Sequence, residues 1–192
     1  MSEPQLSWAT SPLVGERRAQ ALALLTSAEA TRFGSDREPE RFLAGRMLLR
    51  KSAAELAGLP LASITVTAAC PDCGLEHGQP HVDGLFVSLS HAGALTVAAA
   101  WADATIGIDI EPRNVPPERV AAIRDVAGGD DLRHWTRVEA VLKADGRGLR
   151  VDPRSVAIQG TEATLDGKRY RLTDIGDDDR DVIGALAQRI AD

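Results

Sequence analysis

The 192-residue sequence lacks the long apolar runs of a membrane protein. Its longest apolar run, LTVAAAWA at 95–102, is far too short to cross a bilayer. The first residues, MSEPQLSWATSPLVGERR, have no basic region followed by an apolar stretch, as a secretory signal would have. We therefore expect a cytoplasmic protein with no membrane partner.

The chain also lacks an excess of positive charge, since its formal net charge is −6 at pH 7. A broad basic surface is needed to bind a polyanion, so we expect no nucleic-acid partner. Only Lys51, Lys143 and Lys168 are lysines among the 22 basic residues. Arginine suits bidentate phosphate contacts, although its predominance is equally a mark of compositional bias.

Cysteine is scarce as well, with Cys70 and Cys73 as the two examples, spaced C-x-x-C. This number argues against a disulfide scaffold and leaves metal, redox and structural roles open. His77 and His81 follow in CPDCGLEHGQPH, which makes four possible zinc ligands. Because this spacing is shorter than in common structural zinc sites, we expect reduced, unliganded thiols, with zinc as the alternative.

The remaining composition, 44% hydrophobic and 26% charged, is that of an ordinary soluble globular protein. Apolar spacing predicts helices at 15–33, 39–59, 116–127 and 131–146. Alternating and β-branched runs predict strands at 62–69, 85–91, 95–102 and 104–112, and in SVAIQG, EATLDGKRYRLTDI and RDVIGALAQRI. These elements predict an α+β protein whose two halves each run helices first and strands after.

Two details predict where elements end. Asp130 precedes the fourth helix and Gly146 follows it, in the manner of an N-cap and a C-terminal glycine. Asp166-Gly167 predicts a hairpin turn in the last third of the chain.

The strand IGIDIE carries two carboxylates, Asp109 and Glu111. Residues two apart on a strand share a face and lie about 7 Å apart. Like charges so placed raise each other's pKa unless something positive lies near them. Two kinds of positive group meet this need, a divalent cation or an arginine. In the arginine alternative, the two carboxylates lie at a solvent-exposed strand end that faces Arg113 or Arg119.

The helix WTRVEAVLK adds a third carboxylate, Glu139, one turn before Lys143. Mg²⁺ binds a few carboxylates and leaves its other positions to water and phosphate oxygens. Beside a metal and a phosphate, the i,i+4 pair presents a base or ligand and a cation to one substrate. On an ordinary surface the same pair contributes only about 0.2–0.5 kcal/mol.

VSLSHAG places Ser88, Ser90 and His91 at the end of a strand. The sequence contains no G-x-S-x-G elbow and no P-loop, so nucleophilic hydrolysis is poorly supported. We interpret Ser90 and His91 as phosphate donors and Ser88 as a structural residue.

Four segments in this order, GQPHV, VSLSHAG, IGIDIEP and WTRVEAVLKADGRGL, together resemble the 4′-phosphopantetheinyl transferases of the surfactin-synthetase-activating type. RFLAGRMLLRK at 41–51 is similar to the upstream helix of that family. The resemblance implies transfer of the phosphopantetheine arm of coenzyme A to a serine of an acyl, peptidyl or aryl carrier protein. Adenosine 3′,5′-bisphosphate is then released.

The resemblance also implies roles for individual residues. Asp109, Glu111 and Glu139 match the Mg²⁺ ligands, and Glu139 is also the candidate base. Lys143 matches the lysine that meets the pyrophosphate. The expected coenzyme A contacts in the first half match Gly78, Gln79, Pro80, Ser90 and His91, with His91 also counted among the catalytic residues.

Members of that family are pseudodimers of two α+β halves with coenzyme A in the cleft between them. The resemblance therefore implies halves at 1–102 and 103–192 and a monomeric protein. The carrier could belong to fatty acid, polyketide, nonribosomal peptide or siderophore synthesis, and secondary metabolism is the expected setting.

The sequence departs from the family pattern at three places. Gln79 stands where the family has a basic residue, and Thr26 and Glu29 occupy a region where a basic residue for the 3′-phosphate is expected. We expect Arg32, Arg41 and Arg46 to act as substitutes. The stretch from Glu111 to Trp135, which shapes carrier contacts in the family, is shorter than in many members.

Two alternatives stay open, and the changed basic positions motivate the first of them. One is a non-catalytic protein that binds coenzyme A or a nucleotide in a degenerate transferase cleft. The other is a small zinc-stabilised interaction module.

Overall fold

The computed structural model describes residues 2–129, 131–176 and 179–190 and divides into two compact units, Met1–Asp103 and Ala104–Asp192. The described residues form a mixed α+β structure with two antiparallel sheets and five α-helices. The elements of the first unit are β1 (Gln5–Thr10), α1 (Gly15–Ala23), α2 (Ser27–Ser35), α3 (Pro39–Ala57), β2 (Phe86–Ala92) and β3 (Leu95–Trp101). Those of the second are β4 (Ile106–Pro112), α4 (Pro117–Ala127), α5 (Leu132–Asp145), β5 (Ala157–Gln159), β6 (Glu162–Leu165), β7 (Lys168–Ile175) and β8 (Val182–Ile190).

The first unit is a three-stranded sheet, in the order β1-β3-β2, covered by α3. β2 and β3 form the predicted hairpin, with His91 opposite Thr96. Burial of apolar side chains between helix and sheet holds the unit together. That core includes Leu48, Leu49, Ala53, Ile64, Val66, Val82, Val87, Ala98 and Ala100.

The single helix predicted at 15–33 is wrong, because two helices, α1 and α2, occupy this range. Thr26 starts the second helix with a capping box. Its hydroxyl accepts a hydrogen bond from the Glu29 N–H at 3.2 Å, and the Glu29 carboxylate accepts one from the Thr26 N–H at 2.9 Å. The T-x-x-E pattern of Thr26 and Glu29 is typical of a helix start and accounts for the second helix, which apolar spacing alone did not predict.

The strand predicted at 62–69 is also wrong. A 3₁₀ turn at Leu61–Ser63 is followed by extended chain. Among the described residues, this segment forms an isolated β-bridge between Thr67 and His81 and no ladder. Ile64 and Val66 are buried, as their alternation predicted. Their side chains fill the core, but their backbone lies outside both sheets.

The second unit is a five-stranded sheet, in the order β4-β8-β7-β6-β5, with α5 packed on β4 and β8. The Asp166-Gly167 hairpin between β6 and β7 is confirmed, with φ of 50° and 76° at its two residues. α5 ends at Gly146 as predicted. The predicted N-cap, Asp130, lies outside the described residues; in the structure the cap of α5 is Asp131, whose side chain accepts from the His134 N–H at 2.7 Å.

The two units share a connectivity that the sequence did not predict. Each unit begins with a strand, not with a helix. This strand is β1 in the first unit, which the sequence did not predict, and β4 in the second. In each unit this first strand pairs antiparallel with the last one, β1 with β3 and β4 with β8. None of the helices formed by the described residues has the length and apolar character needed to span a bilayer.

Candidate functional site

Asp109 and Glu111 lie on β4 in a buried position, with 6% and 9% of their surfaces exposed. Their neighbours Ile108 and Ile110 are almost fully buried on the alternate face of the strand. The alternative of a solvent-exposed strand end is therefore wrong. Burial of two carboxylates on one face costs free energy unless positive groups compensate it.

Lys143 of α5 provides one of these positive groups. Its ammonium group lies 2.7 Å from Oδ1 of Asp109 and also donates to the carbonyl of Ile108 at 3.1 Å. The lysine therefore joins α5 to β4 at the acidic cluster. The sequence had allowed either a cation at a functional site or an ordinary surface pair with Glu139.

Arg119 of α4 provides the other, as the arginine alternative anticipated. Its guanidinium group lies 2.6 Å from Oε1 of Glu111, and the indole of Trp135 donates to the same oxygen at 3.3 Å. Trp135 was missed by sequence reasoning, although it stands at the start of the quoted helix segment. Glu111 is thus held from both α4 and α5.

Glu139 projects from α5 toward the same charges. Burial raises the pKa of its carboxyl group, the nearby Lys143 lowers it, and the negative charges of Asp109 and Glu111 raise it further. The net result is a pKa above the ordinary value. The three carboxylates therefore interact electrostatically, as the sequence predicted, and an additional cation would be favourable among them.

Gly107 explains how α5 comes this close to β4. A Cβ atom at this position would lie 1.9 Å from the carbonyl oxygen of Ala140 and 2.5 Å from the backbone nitrogen of Ala144. Only a residue without a side chain permits this approach. Lys143 lies between Ala140 and Ala144 in the sequence. The close crossing at Gly107 therefore determines how far the Lys143 side chain extends along β4.

In the first unit, a cavity of about 160 Å³ gathers five of the predicted coenzyme A contacts. These are Arg32, Arg46, Gly78, Pro80 and His91. The same wall includes Phe42, Leu49, Ala68, Glu76, His77 and Leu89. Two guanidinium groups and an imidazole on one cavity provide the donors that a phosphate group needs.

Arg46 is the more deeply buried of the two arginines, with 5% of its surface exposed. It pairs with the fully buried Glu29 at 3.4 Å and with Glu76 at 3.8 Å, and its guanidinium carbon lies 5.0 Å above the ring of Phe42. Burial lowers its pKa, which the charges of Glu29 and Glu76 counteract. Glu29 thus neutralises a basic cluster from within, where the sequence had suggested that a basic residue was missing.

Arg32 is more accessible and is held by a different set of contacts. It pairs with Asp36 at 2.7 Å and donates to the carbonyl of Glu76 at 3.3 Å. Glu76 also accepts a hydrogen bond from the Ala68 N–H at 2.8 Å. Sequence reasoning missed Glu76 because it lies in an irregular loop with no periodic pattern around it.

His91 and Ser90 are adjacent on β2 and therefore point to opposite faces of the strand. His91 borders the cavity, and its Nδ1 lies 2.9 Å from the hydroxyl of Thr96. Ser90 is buried. Of the other described residues predicted to contact coenzyme A, Arg41 pairs with Glu38 at 2.6 Å, and Arg41, Gln79 and Ser90 do not line this cavity.

No protein-family model matches the chain. It is 26% identical, over 163 residues, to the L-aminoadipate-semialdehyde dehydrogenase-phosphopantetheinyl transferase of Rattus norvegicus. The match covers 71% of this chain and 52% of the relative, so the chain spans about half the length of the relative it matches. This similarity supports a phosphopantetheinyl transferase at the level of the general family and leaves the surfactin-synthetase-activating type untested.

Proposed function

We propose that the protein is a 4′-phosphopantetheinyl transferase of the surfactin-synthetase-activating type, which modifies a serine of an acyl or peptidyl carrier protein. The observation that carries this proposal is the buried group of Asp109, Glu111 and Glu139 with Lys143 in contact. The similarity to a phosphopantetheinyl transferase supports it independently. Both observations concern the same reaction class, phosphoryl transfer, which depends on positioning and on neutralising charge.

Asp109, Glu111 and Glu139 would hold one Mg²⁺ ion. Their carboxylate oxygens are the hard ligands that this ion prefers. Burial and the charges of Asp109 and Glu111 raise the pKa of Glu139, so a cation beside its carboxylate would be stabilising. When bound, the ion supplies charge neutralisation at the pyrophosphate of coenzyme A.

The chain's own groups account for the remaining chemistry. Glu139 takes the proton of the carrier serine, whose oxygen attacks the phosphorus that bears the pantetheine arm. The bond between this phosphorus and the bridging oxygen breaks, and adenosine 3′,5′-bisphosphate leaves. Lys143, whose ammonium group lies 2.7 Å from Asp109, meets the pyrophosphate and neutralises part of its charge.

The first unit would supply the remaining contacts to coenzyme A. Arg32, Arg46 and His91 surround the cavity of about 160 Å³ and are the proposed phosphate contacts. Gly78, Gln79, Pro80, Ser90 and Arg41 stay predictions from the resemblance, as do the pseudodimer arrangement and the monomeric state. The contacts that hold Arg32 and Arg46 lie within the first unit, and those that hold Asp109 and Glu111 lie within the second.

A non-catalytic protein that binds coenzyme A is the second candidate, and a specific observation favours it. Asp109 and Glu111 are each paired with a cation of the protein itself, Lys143 and Arg119. A cluster balanced in this way could persist without catalysis.

One experiment separates these candidates. The protein is incubated with an apo carrier protein, coenzyme A and Mg²⁺, and the carrier is weighed by mass spectrometry. We expect a gain of one phosphopantetheine with the native protein and with Glu162→Gln, a control at an exposed pair with Arg169. Glu139→Gln should abolish the gain while the circular dichroism spectrum is unchanged.

Binding of coenzyme A without any mass gain on several carriers would reject the transferase in favour of the binding protein. Normal turnover of Glu139→Gln would reject the role of Glu139. Absence of both binding and transfer would reject both candidates.

A further inference from the structure

The loop CPDCGLEHGQPH brings three metal-ligating side chains together. One ligand atom each from Cys70, Cys73 and His77 lies within 4.8 Å of the other two. The closest pair is Sγ of Cys73 and Nε2 of His77, at 3.0 Å. The proposed transferase chemistry uses none of these three groups.

The backbone holds this arrangement with short-range hydrogen bonds. The N–H of Cys70 donates to the carbonyl of Leu75 at 2.8 Å, and the N–H of Gly74 donates to the carbonyl of Cys70 at 2.8 Å. Gly74 has φ of +73°, a conformation that other residues adopt only with strain. The chain therefore turns back after Cys73 and brings His77 over the two sulfur atoms.

The sulfur of Cys70 accepts hydrogen bonds from the backbone N–H groups of Asp72 and Cys73, and its thiol also lies 3.9 Å from Oδ2 of Asp72. Such donors stabilise a thiolate, the form in which cysteine binds metal.

The closest ligand pair needs a small adjustment to bind a tetrahedral zinc ion, and the other two pairs lie within 4.8 Å. With Zn–S near 2.3 Å and Zn–N near 2.0–2.1 Å, ligands at tetrahedral angles lie about 3.5–3.8 Å apart. The 3.0 Å between Cys73 and His77 would thus open by about half an ångström on binding. Both residues are exposed, so this movement displaces no core side chain.

We propose that Cys70, Cys73 and His77 bind one Zn²⁺ ion, with the fourth coordination position left to solvent. His81, the other histidine of the loop, has its Nε2 3.2 Å from Oδ1 of Asp83 and is not part of the cluster. The expectation of unliganded thiols came from the linear spacing; the folded loop brings the ligands together despite it.

The ion would secure one wall of the arginine-lined cavity. Between Cys73 and Pro80 lie Glu76, which contacts Arg32 and Arg46, and Gly78, whose N–H donates to the carbonyl of Ala68 at 2.6 Å. This consequence rests on the proposed coenzyme A site, whereas zinc binding itself does not.

The test measures zinc directly on the full chain, purified without chelator and with reductant. We expect about one zinc per chain by plasma mass spectrometry for the native protein. Cys70→Ser, Cys73→Ser and His77→Ala should each lose most of it. His81→Ala, the same substitution four residues later, is the matched control and should keep it.

Replacement of zinc by Co²⁺ gives a second readout. We expect thiolate-to-cobalt charge-transfer absorption together with the intense visible bands of tetrahedral cobalt, and both should be absent from Cys73→Ser. A native protein with far less than one zinc per chain and no cobalt spectrum would overturn the proposal, as would a Cys70–Cys73 disulfide in that protein. Equal zinc loss in His81→Ala would overturn the assignment to His77. Failure of carrier modification with zinc still bound would count against the transferase alone.

Discussion

At the scale of single residues, the acidic cluster is a site where stability and the proposed function oppose each other. Asp109 and Glu111 each have a close cation, Lys143 at 2.7 Å and Arg119 at 2.6 Å. Glu139 has a raised pKa because burial and its two acidic neighbours outweigh the effect of Lys143. Its ionised form therefore destabilises the folded protein, which is common at functional sites.

Glu139→Gln should stabilise the metal-free protein at pH 7. For an acid whose folded pKa lies above the unfolded value, ionisation costs stability at every pH above the folded pKa. This cost fades as the pH falls and disappears below about the ordinary value of 4.5. Urea unfolding with chelator present should therefore show a higher midpoint for Glu139→Gln at pH 7 and equal midpoints near pH 4.

Glu162→Gln is the control for this measurement. Its carboxylate forms an exposed pair with Arg169, so its loss should change the free energy of unfolding by at most about 1 kcal/mol. A Glu139→Gln protein that is less stable than the native one at pH 7 would show that the ionised carboxylate is compensated.

Lys143→Ala should lower turnover more than coenzyme A affinity. Its ammonium group lies at the cluster and would act on the charge that develops on the leaving bisphosphate. Loss of one such group typically lowers kcat by roughly 10²–10³. Steady-state kinetics of carrier modification and calorimetric binding of coenzyme A measure the two quantities.

The matched control is Lys51→Ala, which removes an exposed lysine 3.7 Å from Glu55 and should leave both quantities unchanged. If Lys143→Ala weakens binding and leaves turnover at saturation unchanged, the lysine acts in ground-state recognition.

The sequence predicted which residues form this cluster and named Arg119 as one possible partner, but it did not predict the contacts that Lys143 and Trp135 make there. Strand alternation places Asp109 and Glu111 on one face, and helical spacing places Glu139 beside Lys143. The contact between Lys143 and the Ile108 carbonyl depends on where α5 crosses β4, which local periodicity does not contain. The hydrogen bond from the indole of Trp135 to Glu111 joins residues 24 positions apart, and local periodicity does not predict it for the same reason.

At the scale of elements, Gly107→Ala should disrupt the packing of α5 on β4. The added methyl group would meet the backbone at 1.9 Å and 2.5 Å, so the helix must shift. Overpacking of this kind typically costs about 1–3 kcal/mol, occasionally more. Because Lys143 lies on the shifted segment, carrier modification should also fall. Differential scanning calorimetry and the mass assay measure the two effects.

Gly34→Ala is the matched control for Gly107→Ala. Gly34 lies in α2, and a Cβ there meets nothing within 4 Å. Higher helix propensity should raise stability by up to about 1 kcal/mol. Equal effects of the two substitutions would refute the close crossing.

The buried ion pairs between α2 and α3 give a second prediction at this scale. Glu29→Gln would leave Arg46 and Arg50 without the carboxylate that lies 3.4 Å and 2.6 Å from them. Breaking a buried pair costs about 3–5 kcal/mol. Glu40→Gln, at a half-exposed surface pair with Arg18, should cost about 1 kcal/mol. Urea denaturation compares them, and similar midpoints would show that Glu29 is dispensable for joining the helices.

Element prediction succeeded where local signals agreed and failed where they competed. The helix at 39–59 and the hairpin of β2 and β3 followed from periodicity together with Pro39 and a short connection. The helix at 15–33 failed because the capping signal at Thr26 and the apolar spacing disagreed. β1 was missed because its pairing partner, β3, lies about 90 residues away, and no hairpin turn joins them.

At the scale of the whole molecule, the chain consists of two compact units that share the pairing of first strand with last strand. A ligand that binds the folded state alone stabilises it by about 2.7 kcal/mol at a hundredfold excess over Kd. If the units unfold in separate transitions, a ligand that contacts one unit raises only that transition. The proposed function requires contacts to both, His91 in the first unit and Lys143 in the second.

We therefore expect coenzyme A with Mg²⁺ to raise the unfolding temperature of every part of the full chain's calorimetric profile. His91→Ala, in the first unit, should reduce this shift at a fixed coenzyme A concentration, and so should omission of Mg²⁺, which the acidic cluster of the second unit would hold. The Lys51→Ala protein should show the full shift. A shift that is lost with His91→Ala and unaffected by omission of Mg²⁺ would confine coenzyme A to the first unit. Since the acidic cluster would then take no part in binding it, the binding protein without transferase activity would be the better description.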